Sequence, residues 1–171
     1  LSNIIEKLNP TIILSGFDIG SNLAVSVVGA HLNKIVAHVE GGEVTGTIDE
    51  SIRHATTKFS HIHFTSNKTA SKRLIKMGEK AKYVFTVGNP SLDYIKKIPK
   101  ISQNILNKEF GINVRKPFVI VIQHTVTTEA EHGDKYMLQT IKAINEQKIQ
   151  AIVILGNSDF GSQKIVNEIK K

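Results

Sequence analysis

The 171-residue chain has no cysteine and no tryptophan. Without cysteine there is no disulfide and no thiolate chemistry, and the absence fits a reducing compartment. Long hydrophobic runs are missing too. No stretch approaches the roughly 18 apolar residues of a membrane-spanning helix, so no membrane partner is expected and a cytoplasmic location is. The first residues, Leu1-Ser2-Asn3-Ile4-Ile5-Glu6-Lys7, lack the charged-then-apolar order of a signal peptide. They read as a helix already under way, as in a chain cut from something longer. Aromatic residues are only 6% of the chain and do not interleave with the lysines. The net charge of +7 therefore builds no base-stacking platform, and nucleic acid is not expected as a partner. Much of the charge reads as solvated surface, with a phosphorylated metabolite among the anionic partners it admits.

What is present is alternation. Thr11–Ser15 is a short β-branched run closed by Gly16, with an alanine- and valine-rich helix expected near Ser21–Leu32. Lys34–Val39 is a second run ending in glycines, followed by a polar helix near Asp49–Phe59. His61–Thr65, a helix over Lys68–Met77 stopped at Gly78, and Tyr83–Val87 continue the series. Apolar strands separated by helices argue for a parallel sheet covered on both faces. Pro90 and Pro99 bracket a short charged stretch with linker composition. The pattern then restarts with a strand at Pro117–Ile122, a helix at Asp134–Gln147, a strand at Ala151–Leu155 and a last helix from Ser162. The expected organisation is α/β, in two incomplete domains.

In open parallel sheets, ligands sit at the carboxyl ends of strands. There the sequence places Asp18, then Glu40-Gly41-Gly42-Glu43, then Gln123-His124, then Gly156-Asn157-Ser158-Asp159. Thr47 and Glu50 have the spacing of a capping box, which starts a helix whose first turns carry Asp49, Arg53 and His54. Two acids held close in a cleft can have separated pKa values and act as base and acid. The plainer reading, that Asp49 and Glu50 only favour the helix dipole, stays open at this point. His61 and His63 alternate on one strand face near His38, yet no carboxylate has matching spacing and H-E-x-x-H is absent, so no metal is expected. Gly16-Phe17-Asp18-Ile19-Gly20 has neither G-x-G-x-x-G nor G-K-[ST] and is not a dinucleotide fingerprint.

The run from His38 through Glu40-Gly41-Gly42-Glu43 and Thr47-Ile48-Asp49-Glu50-Ser51-Ile52-Arg53 to Ala55 resembles the signature of the hydrolysing UDP-N-acetylglucosamine 2-epimerases. Gly88-Asn89-Pro90-Ser91-Leu92-Asp93 and Gln123-His124-Thr125-Val126-Thr127-Thr128-Glu129 extend the resemblance over nearly the whole chain. It implies the GT-B architecture, with parts of two Rossmann-like domains. Residues 1–90 would be the second half of the N-terminal domain, 91–103 a linker, and 104–171 the start of the C-terminal nucleotide-binding domain. It also implies Asp18, Glu40, Asp49 and His124 as catalytic groups, and Arg53 and Asn157 as substrate contacts. The implied reaction converts UDP-GlcNAc into UDP and N-acetylmannosamine through a 2-acetamidoglucal, as in sialic-acid biosynthesis, with no metal or other cofactor and in a homo-oligomer. A bacillosamine-type nucleotide sugar as substrate, and a truncated nucleotide-sugar-binding protein without catalysis, are the alternatives. The chain departs from the family's usual G-D-R in reading Phe17-Asp18-Ile19, and has Thr125 where a proline is usual.

Overall fold

The computed structural model describes residues 1–17 and 19–171, so Asp18 lies outside the described residues. The chain divides into two compact units, Leu1–Ile98 and Pro99–Lys171.

In the first unit, helix α1 (Ser2–Leu8) precedes strand β1 (Ile12–Gly16). Helix α2 (Gly20–His31) leads to β2 (Ile35–Val39), α3 (Ile48–Lys58) to β3 (Ile62–Thr65), and α4 (Lys68–Lys76) to β4 (Val84–Thr86). The four strands form one parallel sheet in the order β1-β2-β3-β4. Every crossover therefore runs the same way, and right-handed crossovers of that kind lay their helices on one face. Ile13 and Val36 are buried on that face against Ile5 of α1 and Val25 and Val28 of α2. Here α2 comes very close to the sheet: a Cβ at Gly29 would meet Ile13 at 2.7 Å and Val36 at 3.0 Å. The opposite face, which carries Ile12, Leu14, Ile35 and Phe85, is left exposed; Leu14 is 68% exposed. The sequence pattern led us to expect cover on both faces. Within this chain the one-directional strand order supplies it on one.

The covered face is unusually polar. Ser15, His38 and His63 lie side by side in register across β1, β2 and β3, all three buried. Each is bonded to the chain that overlies it. Ser26 of α2 donates to Ser15 Oγ at 2.9 Å, His38 Nδ1 is 3.1 Å from Thr57 Oγ1 of α3, and His63 Nε2 is 3.2 Å from Glu79, just beyond α4. Buried polar groups are tolerable when paired in this way. Thr57 gives its own hydroxyl proton to the Arg53 carbonyl at 3.1 Å, so it accepts from His38 Nδ1–H. Neutral His38 therefore carries its proton on Nδ1, and Nε2 is buried without a partner among the described residues. A second proton there would be stranded. Burial, then the neighbouring His63, Arg53 and His54, push the His38 pKa down to about 4. Burial lowers the His63 pKa as well, against the pull of Glu79.

Helix α5 (Pro90–Lys97) closes the first unit, and α6 (Gln103–Phe110) opens the second. Both occupy or border the proline-bracketed stretch of linker composition. Asn89 caps α5 by accepting from Ser91 N–H, and Pro90 sits in its first turn, where a missing N–H costs nothing. The second unit pairs β5 (Phe118–Ile122) in parallel with β6 (Gln150–Ile154), joined by α7 (Gly133–Gln147) and followed by α8 (Ser162–Ile169). Helices α7 and α8 pack on each other, burying Met137 and Ile165. The Gln150 side chain accepts from Asn113 N–H at 2.8 Å and donates to Asn113 C=O at 3.1 Å, tying the approach to β5 onto the start of β6.

Two outcomes test this packing. Leu74 of α4 is fully buried, and Leu74→Ala should cost on the order of 2–5 kcal/mol in denaturant unfolding of the first unit. His38 is neutral in the fold and titrates near 6.5 when unfolded, so its contribution is complete above pH 6.5 and is lost as pH falls toward 4. Unfolding followed from pH 7.5 downward should show a loss on the order of 2–3 kcal/mol from this group by about pH 4.5. His38→Gln should flatten that part of the slope.

Candidate active site

Strand β2 ends by turning sharply. Glu40 adopts φ +64, the left-handed region that a non-glycine residue enters at a cost of about 1–3 kcal/mol. Its N–H still donates to the Phe64 carbonyl of β3 at 2.8 Å, so the turn starts from an intact ladder. The next two residues must be glycine. A Cβ on Gly41 would lie 2.8 Å from His38 Nδ1 and 3.2 Å from Thr57 Oγ1. Gly42 has φ +89, and a Cβ there would lie 2.7 Å from the Ala70 carbonyl of α4. The pair is wedged between the two helices, and Arg73 of α4 donates to the Gly42 carbonyl.

The wedge fixes the glutamates on either side. Glu40, Glu43, Thr45 and Arg53 line one cleft of about 350 Å³ together with Phe17, Ser66 and Asn89. Glu40 Oε1 is shielded from solvent and has no hydrogen-bond partner among the described residues. Glu43 Oε1 instead accepts from Ser66 Oγ and from Asn67 Nδ2, each at 2.6 Å. Arg53 is 6% exposed and donates from Nη1 to the Glu43 carbonyl at 2.9 Å. Its guanidinium thus forms the cleft wall from beneath. A larger apolar cleft of about 750 Å³, lined by Leu14, Val39, Phe64 and Pro90 among others, shares Phe17 with the first.

Asp49 lies in the first turn of α3, half-buried, and is not part of that cleft wall. Its Oδ2 accepts from Thr47 Oγ1 at 3.1 Å. The capping box forms only by half. Thr47 is the N-cap residue but its side chain does not cap. Glu50 does reach back, past Thr47, and accepts from Thr45 N–H at 2.9 Å and Gly46 N–H at 2.8 Å. Those two amides hold the Glu50 carboxyl below its usual pKa. Glu50 is therefore a carboxylate that shapes the loop.

In the second unit, His124 follows β5 and is exposed. Its Nδ1 accepts from the Asn157 backbone N–H at 3.4 Å, which leaves the ring proton on Nε2. A Cβ on Gly156 would press on Gln123 O at 3.0 Å and His124 Nδ1 at 3.1 Å, so the β6 loop fits closely against the histidine. The Asn157 side chain donates to Asp159. His124 and Asn157, nominated separately from the sequence, are neighbours. In the first unit, His61 Nδ1 accepts from Val36 N–H at 3.1 Å, and His63, in register beside His38, faces Glu79.

Sequence reasoning did not single out Ser66, Asn67, Asn89 or Phe17. Asn89 carried a signal, since it stands in the Gly88–Asp93 motif. Phe17 carried one too, since it stands where the family's G-D-R has glycine, and its backbone is left-handed, with φ +67. Ser66 and Asn67 are recognisable only once β3 lies beside β2.

A family model described as UDP-N-acetylglucosamine 2-epimerase matches residues 1–171. The chain is 35% identical to the UDP-N-acetylglucosamine 2-epimerase of Neisseria meningitidis serogroup B, over 100% of this chain and 45% of that protein. It is 34% identical to the UDP-N,N'-diacetylbacillosamine 2-epimerase (hydrolyzing) of Legionella pneumophila, over 99% of this chain and 45% of that protein. The crystal structure of the Neisseria meningitidis UDP-GlcNAc 2-epimerase bound to UDP-GlcNAc is similar with a TM-score of 0.79 at 17% identity, covering 99% of this chain and 49% of that one. That likeness shows the fold: α/β with parallel sheets, of the GT-B type, in parts of two Rossmann-like domains. The chain spans less than half the length of the relatives it matches. Over all of its own length it belongs to the UDP-N-acetylglucosamine 2-epimerase family.

Proposed function

We propose that the chain carries the catalytic acids of a hydrolysing UDP-GlcNAc 2-epimerase. The observation that carries this reading is Glu40. A carboxylate oxygen without a partner among the described residues, set in a cleft on a left-handed backbone, is costly to the fold, and such strain gathers at functional sites. The motif resemblance and the family membership support the choice of reaction.

In the proposed reaction a carboxylate removes the C2 proton of the sugar while the C1–O bond to UDP breaks. The products of that step are UDP and 2-acetamidoglucal. Water then adds across the double bond, hydroxyl to C1 and proton to C2 on the opposite face, giving N-acetylmannosamine. Glu40 and Asp49 are the proposed acid–base pair, with Asp18 assisting and Arg53 supporting the loop and the substrate site. His124, with its proton on Nε2, is the proposed donor to the departing phosphate oxygen, and Asn157 the proposed nucleotide contact. Proton transfer by a positioned group of this kind contributes about 10²–10⁴-fold. A second reading, the same elimination and hydration on a diacetamido sugar nucleotide, draws on the likeness to the Legionella pneumophila protein.

Incubating the chain with UDP-GlcNAc should release UDP and free N-acetylmannosamine, followed by ³¹P and ¹H NMR. UDP-N,N'-diacetylbacillosamine run in parallel decides between the two substrates. Glu40→Gln should lower UDP release by about 10²–10⁴-fold while leaving nucleotide binding intact. Near-normal turnover by that variant would remove Glu40 from the mechanism.

A further inference from the structure

The two glutamates of Glu40-Gly41-Gly42-Glu43 are chemically alike and three residues apart, but their surroundings are opposite. Glu40 Oε1 is buried with no partner among the described residues. Glu43 Oε1 accepts two hydrogen bonds, from Ser66 Oγ and Asn67 Nδ2, both at 2.6 Å. An sp² oxygen has two lone pairs, so both on this atom are engaged. The donors are themselves held. Asn67 Oδ1 caps α4 by accepting from Ala70 N–H at 2.9 Å, and Asn67 Nδ2 also lies 3.3 Å from Ser66 Oγ. The Glu43 main chain is tied as well, through the Arg53 bond to its carbonyl.

Both ends of the loop are therefore fastened to one short piece of chain, the end of β3. Phe64 C=O holds Glu40 N–H, and Ser66 and Asn67 hold the Glu43 carboxylate. Between these ties the loop is in the left-handed region at Glu40 and again at Gly42.

We propose that Glu43 is a positioning residue: its carboxylate clamps the loop onto the β3–α4 turn through Ser66 and Asn67, and so holds the Glu40 carboxyl in the cleft, while Glu43 itself exchanges no proton with the substrate. This rests on the reading of Glu40 as the proton-transfer group. Charge-assisted bonds at 2.6 Å are strong ones. A neutral amide could still replace them, because both donors meet the same oxygen and a glutamine Oε1 can accept both.

The test compares Glu43→Gln and Glu43→Ala with the wild-type chain and with Glu40→Gln, by UDP release and by amide hydrogen exchange at residues 40–43. For Glu43→Gln, kcat and KM should stay within about threefold of wild type, and exchange should be unchanged. For Glu43→Ala, kcat should fall by about 100-fold, the usual effect of a displaced catalytic group, and the Glu40 amide should lose protection while helix α7 keeps its own. A folded Glu43→Gln as inactive as Glu40→Gln, with the loop still protected, would make Glu43 a proton-transfer group and overturn the proposal. Unchanged protection of the Glu40 amide in Glu43→Ala would overturn it equally. If the wild-type chain does not turn over UDP-GlcNAc, the functional reading fails by itself, and the exchange pattern still decides whether Glu43 clamps the loop.

Discussion

The reversal of the chain after β2 is the constraint on which the geometry of the first unit's cleft depends. Glu40 is forced into a left-handed conformation because the two residues after it have to pass between α3 and α4 with no room for a Cβ. Helix α3 presses on Gly41 through Thr57, and α4 presses on Gly42 through the Ala70 backbone. Both helices can approach the glycine pair because the residues facing it are small, Thr57 on α3 and Ala70 on α4, both buried. The packing that stabilises the sheet is therefore also what aims the glutamate.

The same arrangement explains a buried histidine directly under the Glu40–Glu43 loop. His38 is in register with Ser15 and His63, and each of the three bonds to the chain above it. Leucine at this position would fill similar volume, but it would leave Thr57 Oγ1 without its donor. Because His38 stays neutral with its proton on Nδ1, it places no positive charge beneath Glu40 near neutral pH.

How much of this was legible follows from what is local. All six strands and the helices joining them could be placed to within a residue or two, because β-branched runs alternate with amphipathic segments and Gly78 stops α4. Helices α5 and α6 were not, since an Asn-Pro-Ser start in a charged stretch reads equally as a linker. The motif showed which loop bears acids. Which of the two glutamates Ser66 and Asn67 engage was not visible, because they are more than 20 residues away and reach Glu43 only through the β2–β3 pairing. The one-sided cover of the sheet was hidden for a related reason: strand order is a property of topology, and apolar runs look the same whether one face or two are covered.

The energetics of the loop give its strain a purpose. Holding Glu40 at φ +64 costs about 1–3 kcal/mol, and an unpartnered buried carboxylate oxygen adds a desolvation penalty of similar order. Against this stand the Phe64 bond to Glu40, the two short bonds to Glu43, and the Arg53 and Arg73 bonds to the intervening carbonyls. Every one of these ties is made to Glu43 or to the main chain of the loop, and none to the Glu40 carboxyl. The stabilisation goes into position alone, and among the described residues it leaves Glu40 Oε1 open to a ligand, as the proposed function requires. A group fixed in this way before the substrate arrives needs little reorganisation when charge develops, and that is the condition under which a proton-transfer residue contributes most.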